Sequence, residues 1–372
     1  MGAVGIVAFI VALIVVIVIH EAAHFGVARA FDIKVTEFFV GFGPRIWSRQ
    51  RGETEVGFKW IPAGGYVKIA GMSPYEEIAP EDRNRVYGAK PRWQRALVIV
   101  AGPATHFVLA FLCFALWLGF VGVPTERSPE IVGVAETLGG RESPAAAAGI
   151  EPGDRLIAIG DIRDPSQEEL VAFTRAHVGQ SIEVTVRRDG DPITVQLVPV
   201  LATVEGQQVG RIGVVLGPGR LERESESIVG SITGAADEVG TALVGTVEGI
   251  GRIFGPSGLS RITELVFTDA PRAPDDAASV VGVSRVAGTL ASDDRFGDLL
   301  YLFALVNVFV GFLNLLPLPP FDGGHLALLL IERIRGRAVD MRKVMPISAL
   351  VAAFFILFTA AVVWVDIVKP PV

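Results

Sequence analysis

The sequence predicts a polytopic α-helical membrane protein with four transmembrane helices, a membrane-associated cytoplasmic β-hairpin or sheet, and an extracytoplasmic β-rich module. Three observations carry this. Residues 3–19, 96–125, 299–321 and 344–365 contain no Asp, Glu, Lys or Arg, and each run is about the length of a bilayer-crossing helix. Lys and Arg crowd the stretches between the first two runs and between the last two. The long section between the second and third runs is acidic and broken into short β-branched segments. At 372 residues and 51% hydrophobic, the chain has room for a membrane core and one soluble module.

The first span, 1–30, ends in "HEAAH" at residues 20–24. No positive charge precedes it and no small-residue cleavage site follows, so it reads as a retained span rather than a secretory signal. Residues 31–95 are basic and therefore cytoplasmic by the positive-inside rule, which turns both termini outward. Within them "FFVGFGPRIWS" and "TEVGFKWIPAGGYVKIAGM" flank a turn at "RQRGET". That pattern predicts a β-hairpin followed by a glycine-rich return loop, either dipping to the depth of an active site or lying as an ordinary surface hairpin.

The second span, 96–124, holds Cys113, the one cysteine of the chain, which has no intrachain disulfide partner and leaves the redox compartment unread. Residues 125–220 form the β-rich module: "IVGVAE", "DRLIAIG", "SIEVTVRRDG", "ITVQLVPV" and "RIGVVL" alternate with turn residues, and one helix falls near 167–177. Its string "SPAAAAGIEPGDRLIAIGD", 143–161, resembles the PDZ signature. The resemblance implies the circularly permuted bacterial strand order, and capture of a peptide or chain end at an exposed strand edge.

In the next stretch, 221–296, Ile228, Ile232, Ala235, Val239, Leu243, Val247, Ile250 and Phe254 recur at helical spacing. Two placements fit: on the outer membrane face or docked on the β module. Residues 256–296, rich in Gly, Pro, Ser and Asp, read as a connector. The third span is 297–322. A cytoplasmic loop, 323–343, carries Arg333, Arg335, Arg337, Arg342 and Lys343, and the fourth span is 344–368. The net charge of −7 comes mostly from the middle section, and no basic, aromatic-interleaved patch exists to hold nucleic acid.

His20 and His24 stand four residues apart, so on a helix they share a face and can hold one Zn²⁺. Glu21 sits beside that face, where a carboxylate can take a proton from a metal-acidified water and pass it to a leaving amine. Ionisable groups at the end of an apolar helix are costly without a metal, partner or water. The third ligand has three candidates at membrane depth: His106, Asp322 and His325. Asp322 is preferred, since it follows the third span at the cytoplasmic end, the level that His20 occupies on the first. Asp beside Gly is also ordinary turn chemistry. The Pro-rich residues before Asp322 should break the helix there.

Together "HEAAH", "GFGP", "PAGGYVKIAG", "AGPATH", the PDZ string and "NLLPLPPFDGG", in this order, resemble the site-2 protease family of intramembrane zinc metalloproteases, in its bacterial four-span form with one PDZ domain. The resemblance implies that His20, His24 and Asp322 bind one Zn²⁺ per chain and that Glu21 activates water. It implies that Asn314 hydrogen-bonds the substrate backbone, and that the region with Gly64, Gly65 and Tyr66 receives a substrate helix unwound into a strand. It also implies a bacterial inner-membrane protein that cuts single-span membrane proteins such as an anti-sigma factor after a first extracytoplasmic cut.

One position departs from the family pattern: where relatives commonly carry Gly-Pro-x-x-Asn, this chain has His106 after Gly102 and Pro103. That imidazole can replace the amide's hydrogen bonds, add a contact near the metal, or bond a neighbouring helix. His325 reads as an interfacial polar residue and His177 as a solvated residue of the module's helix. A membrane-tethered PDZ scaffold with a structural metal site is the alternative from another class. A transporter would show repeated ionisable helices, and no such repeat is present.

Overall fold

The computed structural model describes residues 1–370 apart from 128, 139, 205, 206, 218, 219, 274 and 275. The expected β module and connector each include such positions, which lie outside the described residues. The chain divides into two units, 1–120 with 227–372, and 121–226.

Helix α1, Gly2–Ala30, buries Gly5, Phe9, Val16, His20, His24 and Ala28, a single stripe at helical spacing. Val4, Val7, Val11 and Val15 on its other faces are exposed, a distribution that lipid stabilises and water does not. Strands β1, Val35–Arg51, and β2, Thr54–Ile69, follow, joined at Gly52, whose φ of +62° is the left-handed turn conformation. The chain doubles back within each strand. Phe39 is flanked by Tyr66 on one side and Gly57 on the other, so residues 61–69, expected as a return loop, are strand instead. Phe42, Ile46, Trp47, Phe58, Trp60 and Ile61 are all exposed on this sheet, an apolar surface suited to a membrane interface. Helix α2, Arg92–Leu116, continues through one π turn at Trp117–Val121 and packs against α1.

In the second unit a ribbon of β3, Val123–Arg127, with the last strand, β14, Arg220–Glu224, brings the two ends of the segment side by side. Between them come β4, Ile131–Val134, a small hairpin of β5, Thr137–Leu138, and β6, Arg141–Glu142, and the short helix α3, Pro144–Ala147, capped by Ser143. Strands β7, Arg155–Ile159, β8, Ile162–Arg163, β9, Ile182–Arg188, and β10, Asp191–Leu197, form one sheet in the order β10-β9-β7-β8. Helix α4, Gln167–Ala176, opens with a capping box between Ser166 and Glu169. Strands β11, Val200–Val204, and β12, Gln207–Arg211, pair with each other, and β13, Val214–Leu216, pairs with β4. Every strand and the helix expected from the sequence is present, around a core of Ile131, Leu156, Ile159, Leu170, Val184 and Val186.

Back in the first unit, α5, Ile228–Phe254, packs against α2 and against a later helix, α8, Asp298–Leu315. Its small residues let it close on the neighbouring helices, with Ser231 opposite Gly119 and Gly234 opposite Leu118. The expected connector is largely helical, with α6 at Pro256–Phe267 and α7 at Val280–Ser292. Pro256 fits the first turn of α6, and the small residues that read as loop let α7 press against α1. A Cβ on Gly5 would lie 2.6 Å from the Ala287 carbonyl oxygen. Similarly, residues 323–335 of the expected cytoplasmic loop belong to α9, Asp322–Arg335, stopped by Gly336 at φ +71°.

Helix α10, Met341–Val368, completes the set and buries Asp366. That carboxylate accepts from the Ser279 and Gly282 backbone N–H groups at 2.7 and 3.0 Å and pairs with Arg272 at 2.5 Å, fastening the start of α7. Among the described residues, four helices are long and apolar enough to cross a membrane: α1, α2 with its π turn, α8 and α10.

Candidate metal centre

The second half of α1 and the first residue of α9 meet at the site. His20 and His24 occupy the buried stripe of α1 one turn apart, and Asp322 is the first residue of α9. The Pro-rich break ends α8 at Leu315, and the chain folds back tightly before α9 begins. A Cβ on Gly323 would fall 2.2 Å from the Leu315 carbonyl oxygen, and one on Gly324 2.4 Å from the Pro319 nitrogen. Only glycine fits both places, so the glycine pair after Asp322 lets the aspartate return to the level of α1.

The three ligand atoms form a nearly equilateral triangle. His20 Nε2 and His24 Nε2 are 3.1 Å apart, and each is 3.3 Å from Asp322 Oδ2. Tetrahedral ligands on zinc at about 2.0–2.1 Å stand roughly 3.3 Å from one another, so the triangle fits that ion. Among the described residues these three are the group whose donor atoms could share a metal. His325 is not in it, and neither is His106.

Helix α2 covers the histidines. A Cβ on Gly102 would lie 2.2 Å from His24 Nε2 and 2.7 Å from His20 Cε1, so glycine is what lets the helix approach. His24 Nδ1 donates to the Val98 carbonyl at 2.7 Å, which leaves Nε2 as the bare nitrogen facing Asp322. His106 Nε2 stands 3.1 Å from His20 Nδ1, and His106 Nδ1 is 3.1 Å from Asn307 Oδ1 on α8. Two of the readings open for His106 are thus both met: it contacts a candidate ligand and bonds a neighbouring helix. Asn307 was missed in the sequence, although an amide in an apolar span two turns before Asn314 was a visible signal.

The sheet reaches the site as well. A Cβ on Gly65 would touch the Glu21 Cγ at 3.1 Å, and the Val67 backbone N–H is turned to the Glu21 carboxylate. Of the two placements open for the hairpin, the deep one is found. Gly64, at φ +154°, stacks under Phe42, which a Cβ would meet at 2.6 Å. Tyr66 points to the other face of the strand: its hydroxyl donates to Glu37 at 2.5 Å and accepts from Lys59 at 2.8 Å. Burial and Glu37 push the Tyr66 phenol well up, while the Tyr66 hydrogen bond holds the Glu37 carboxyl below its ordinary range. Asn314 lies half-buried near the end of α8.

The profile of peptidase family M50 matches residues 8–359. The chain belongs to that family. It is similar to zinc metalloprotease Rip1 of Mycobacterium tuberculosis, at 32% identity over 410 residues with 98% of each chain covered. Zinc metalloprotease Rip1 of Mycolicibacterium smegmatis is 31% identical, with all of this chain and 98% of the relative covered. The chain is thus a multi-pass zinc metallopeptidase of family M50, and His20, His24 and Asp322 are the candidate residues to hold its metal.

In the inserted unit, a groove of about 450 Å³ runs between α4, at Leu170, Val171 and Thr174, and residues 209–216 of β12 and β13. Val214, Val215 and Leu216 of β13, the strand that pairs with β4, line this groove. His177 ends α4 partly exposed, with its ring stacked on Phe173 at a centroid distance of 4.0 Å.

Proposed function

We propose that the chain is an intramembrane zinc metallopeptidase that hydrolyses peptide bonds in transmembrane segments of single-span membrane proteins. The triangle of His20 and His24, on the apolar helix α1, with Asp322, at the first residue of α9, carries this reading. These three residues hold one Zn²⁺, which when bound supplies the Lewis acidity that acidifies water and polarises a peptide carbonyl. Glu21 takes the proton from the attacking water and returns it to the departing amine. Its neighbour Gly65 offers only backbone, so an unwound substrate can lie along the β2 edge as an added strand and come within reach of Glu21. Asn314 donates its amide to the substrate backbone near the scissile bond. Tyr66 shapes the sheet through Glu37 and Lys59 rather than by touching substrate.

The charge pattern supports an orientation with residues 31–95 and α9 on the cytoplasmic side, and with both termini and the inserted unit outside, in a bacterial inner membrane. The inserted unit works as a PDZ domain whose groove beside β13 takes a peptide or chain end exposed by a first extracytoplasmic cut. A membrane-anchored anti-sigma factor is the substrate class that fits this sequence of events. The test is Glu21→Gln in the full chain. The variant should retain zinc and trap uncut membrane proteins. Unchanged biological output from that variant, with zinc still bound, would refute the reading and favour a PDZ scaffold with a structural metal.

A further inference from the structure

Asn307 fixes the direction of a hydrogen-bond chain that ends at the metal centre. Its amide nitrogen donates to the Phe303 carbonyl at 2.8 Å, and a carbonyl can only accept. The Asn307 oxygen therefore faces His106 Nδ1 across 3.1 Å, and His106 must donate there. A neutral imidazole that donates from Nδ1 can only accept at Nε2. His20 Nδ1, 3.1 Å away, consequently carries the proton, and His20 Nε2 is left with its lone pair toward His24 and Asp322. The two inner members of the chain are buried, Asn307 at 1% exposed and His106 at 2%, so water does not compete for the bond between them.

We infer that His106, aligned by Asn307, is a positioning residue that locks His20 in the tautomer and ring orientation needed for metal binding. The inference rests on the metal-centre reading above. A single residue at 106 joins three helices. Its ring nitrogens reach His20 on α1 and Asn307 on α8 from α2, and Gly311 makes room, since a Cβ there would come within 2.9 Å of the His106 Cβ. An asparagine, as in the common family motif, has the reach of Nδ1 alone. It can meet Asn307 but stops short of His20. A glutamine reaches the Nε2 position and can accept from His20 through its oxygen. His24 needs no such partner, because the Val98 carbonyl already fixes it.

The experiment measures Zn²⁺ affinity of the full chain in detergent by chelator competition, together with the visible absorption of the Co²⁺-loaded protein. Loss of an outer partner of a metal-bound histidine costs about 10–100-fold in affinity. His106→Ala and His106→Asn should each lose affinity in that range and alter the Co²⁺ spectrum, while His106→Gln should remain within about threefold of the parent. Asn307→Leu should weaken binding in the same direction, by freeing His106 to turn. Helix content by circular dichroism screens each variant for folding, and the Gln and Asn pair still decides if the alanine variant misfolds. Parent-like zinc binding by His106→Asn, or a glutamine no better than alanine, would overturn the inference. His20→Ala is the control for the underlying reading: zinc bound equally well without that ligand would overturn the metal centre itself.

Discussion

Replacing Gly102 by alanine adds one methyl group to α2 at the point where it faces the histidines. The new Cβ would stand 2.2 Å from His24 Nε2, and restoring an ordinary contact of 3.4 Å displaces that nitrogen by about 1.2 Å. Metal–ligand distances tolerate about 0.2 Å, so His24 ceases to coordinate. The helix itself does not object, since alanine is favoured over glycine in a helix interior by about 1 kcal/mol. Over-packing the buried contact with the two histidines costs about 1–3 kcal/mol, so Gly102→Ala should fold with a thermal stability equal to or modestly below that of the metal-free parent, yet bind Zn²⁺ at least about 100-fold more weakly, beyond the upper end for an outer partner. Peptidase activity should fall in proportion. Chelator competition, activity toward a membrane substrate and melting of the metal-free protein test this together. A zinc-loaded and active Gly102→Ala would show that α2 does not press on the ligands and would refute the packing argument.

Three further outcomes follow from contacts already described. Incubation with a strong chelator should abolish peptidase activity, and added Zn²⁺ should restore it without refolding, because α1, α2 and α9 are held by packing outside the triangle. Breaking the buried Arg272 and Asp366 pair by Asp366→Ala should cost about 3–5 kcal/mol, visible as faster hydrogen exchange at the start of α7. In the inserted unit, Arg188 donates to Asp154 at 2.7 Å and holds its carboxyl below the usual range. Because the folded value is depressed, this stabilisation is complete above the unfolded carboxylate value near 3.9 and disappears as pH falls through the folded one. Exchange of the β7 and β9 amides in the full chain should accelerate below about pH 4, and Asp154→Asn should flatten that dependence. An acid profile unchanged by Asp154→Asn would contradict the assignment.

The spans, the ligand histidines and the convergence with Asp322 were legible because they rest on local signals: apolar run length, a spacing of four, and charge asymmetry. The module's strands were legible for the same reason, as β-branched runs between turn residues. What stayed hidden depends on neighbours far away in sequence. The partnership of His20, His106 and Asn307 joins residues 86 and 201 positions apart, and no spacing rule reaches that far. Helices α6 and α7 read as connector because glycine and serine lower helix propensity. The same residues let α7 lie directly against α1, and tertiary contact overrides propensity there. The doubling back of β1 and β2 escaped notice since a glycine-rich strand and a glycine-rich loop look alike until a partner strand is known.

The ribbon of β3 and β14 has a consequence for how this chain can change. Val123 pairs with Glu224 and Arg127 with Arg220, so the inserted unit leaves and rejoins at one place. To the membrane helices, the insertion of residues 121–226 is closed like a hairpin. Loop-closure cost grows only with the logarithm of length, and here the paired strands have already met it. The insertion is in effect a cassette: exchanging it for another small domain, or for a short turn across the ribbon, leaves the chain path of the metal-bearing helices unaltered. The inserted unit and the helices that carry His20, His24 and Asp322 can then diverge at separate rates within one gene.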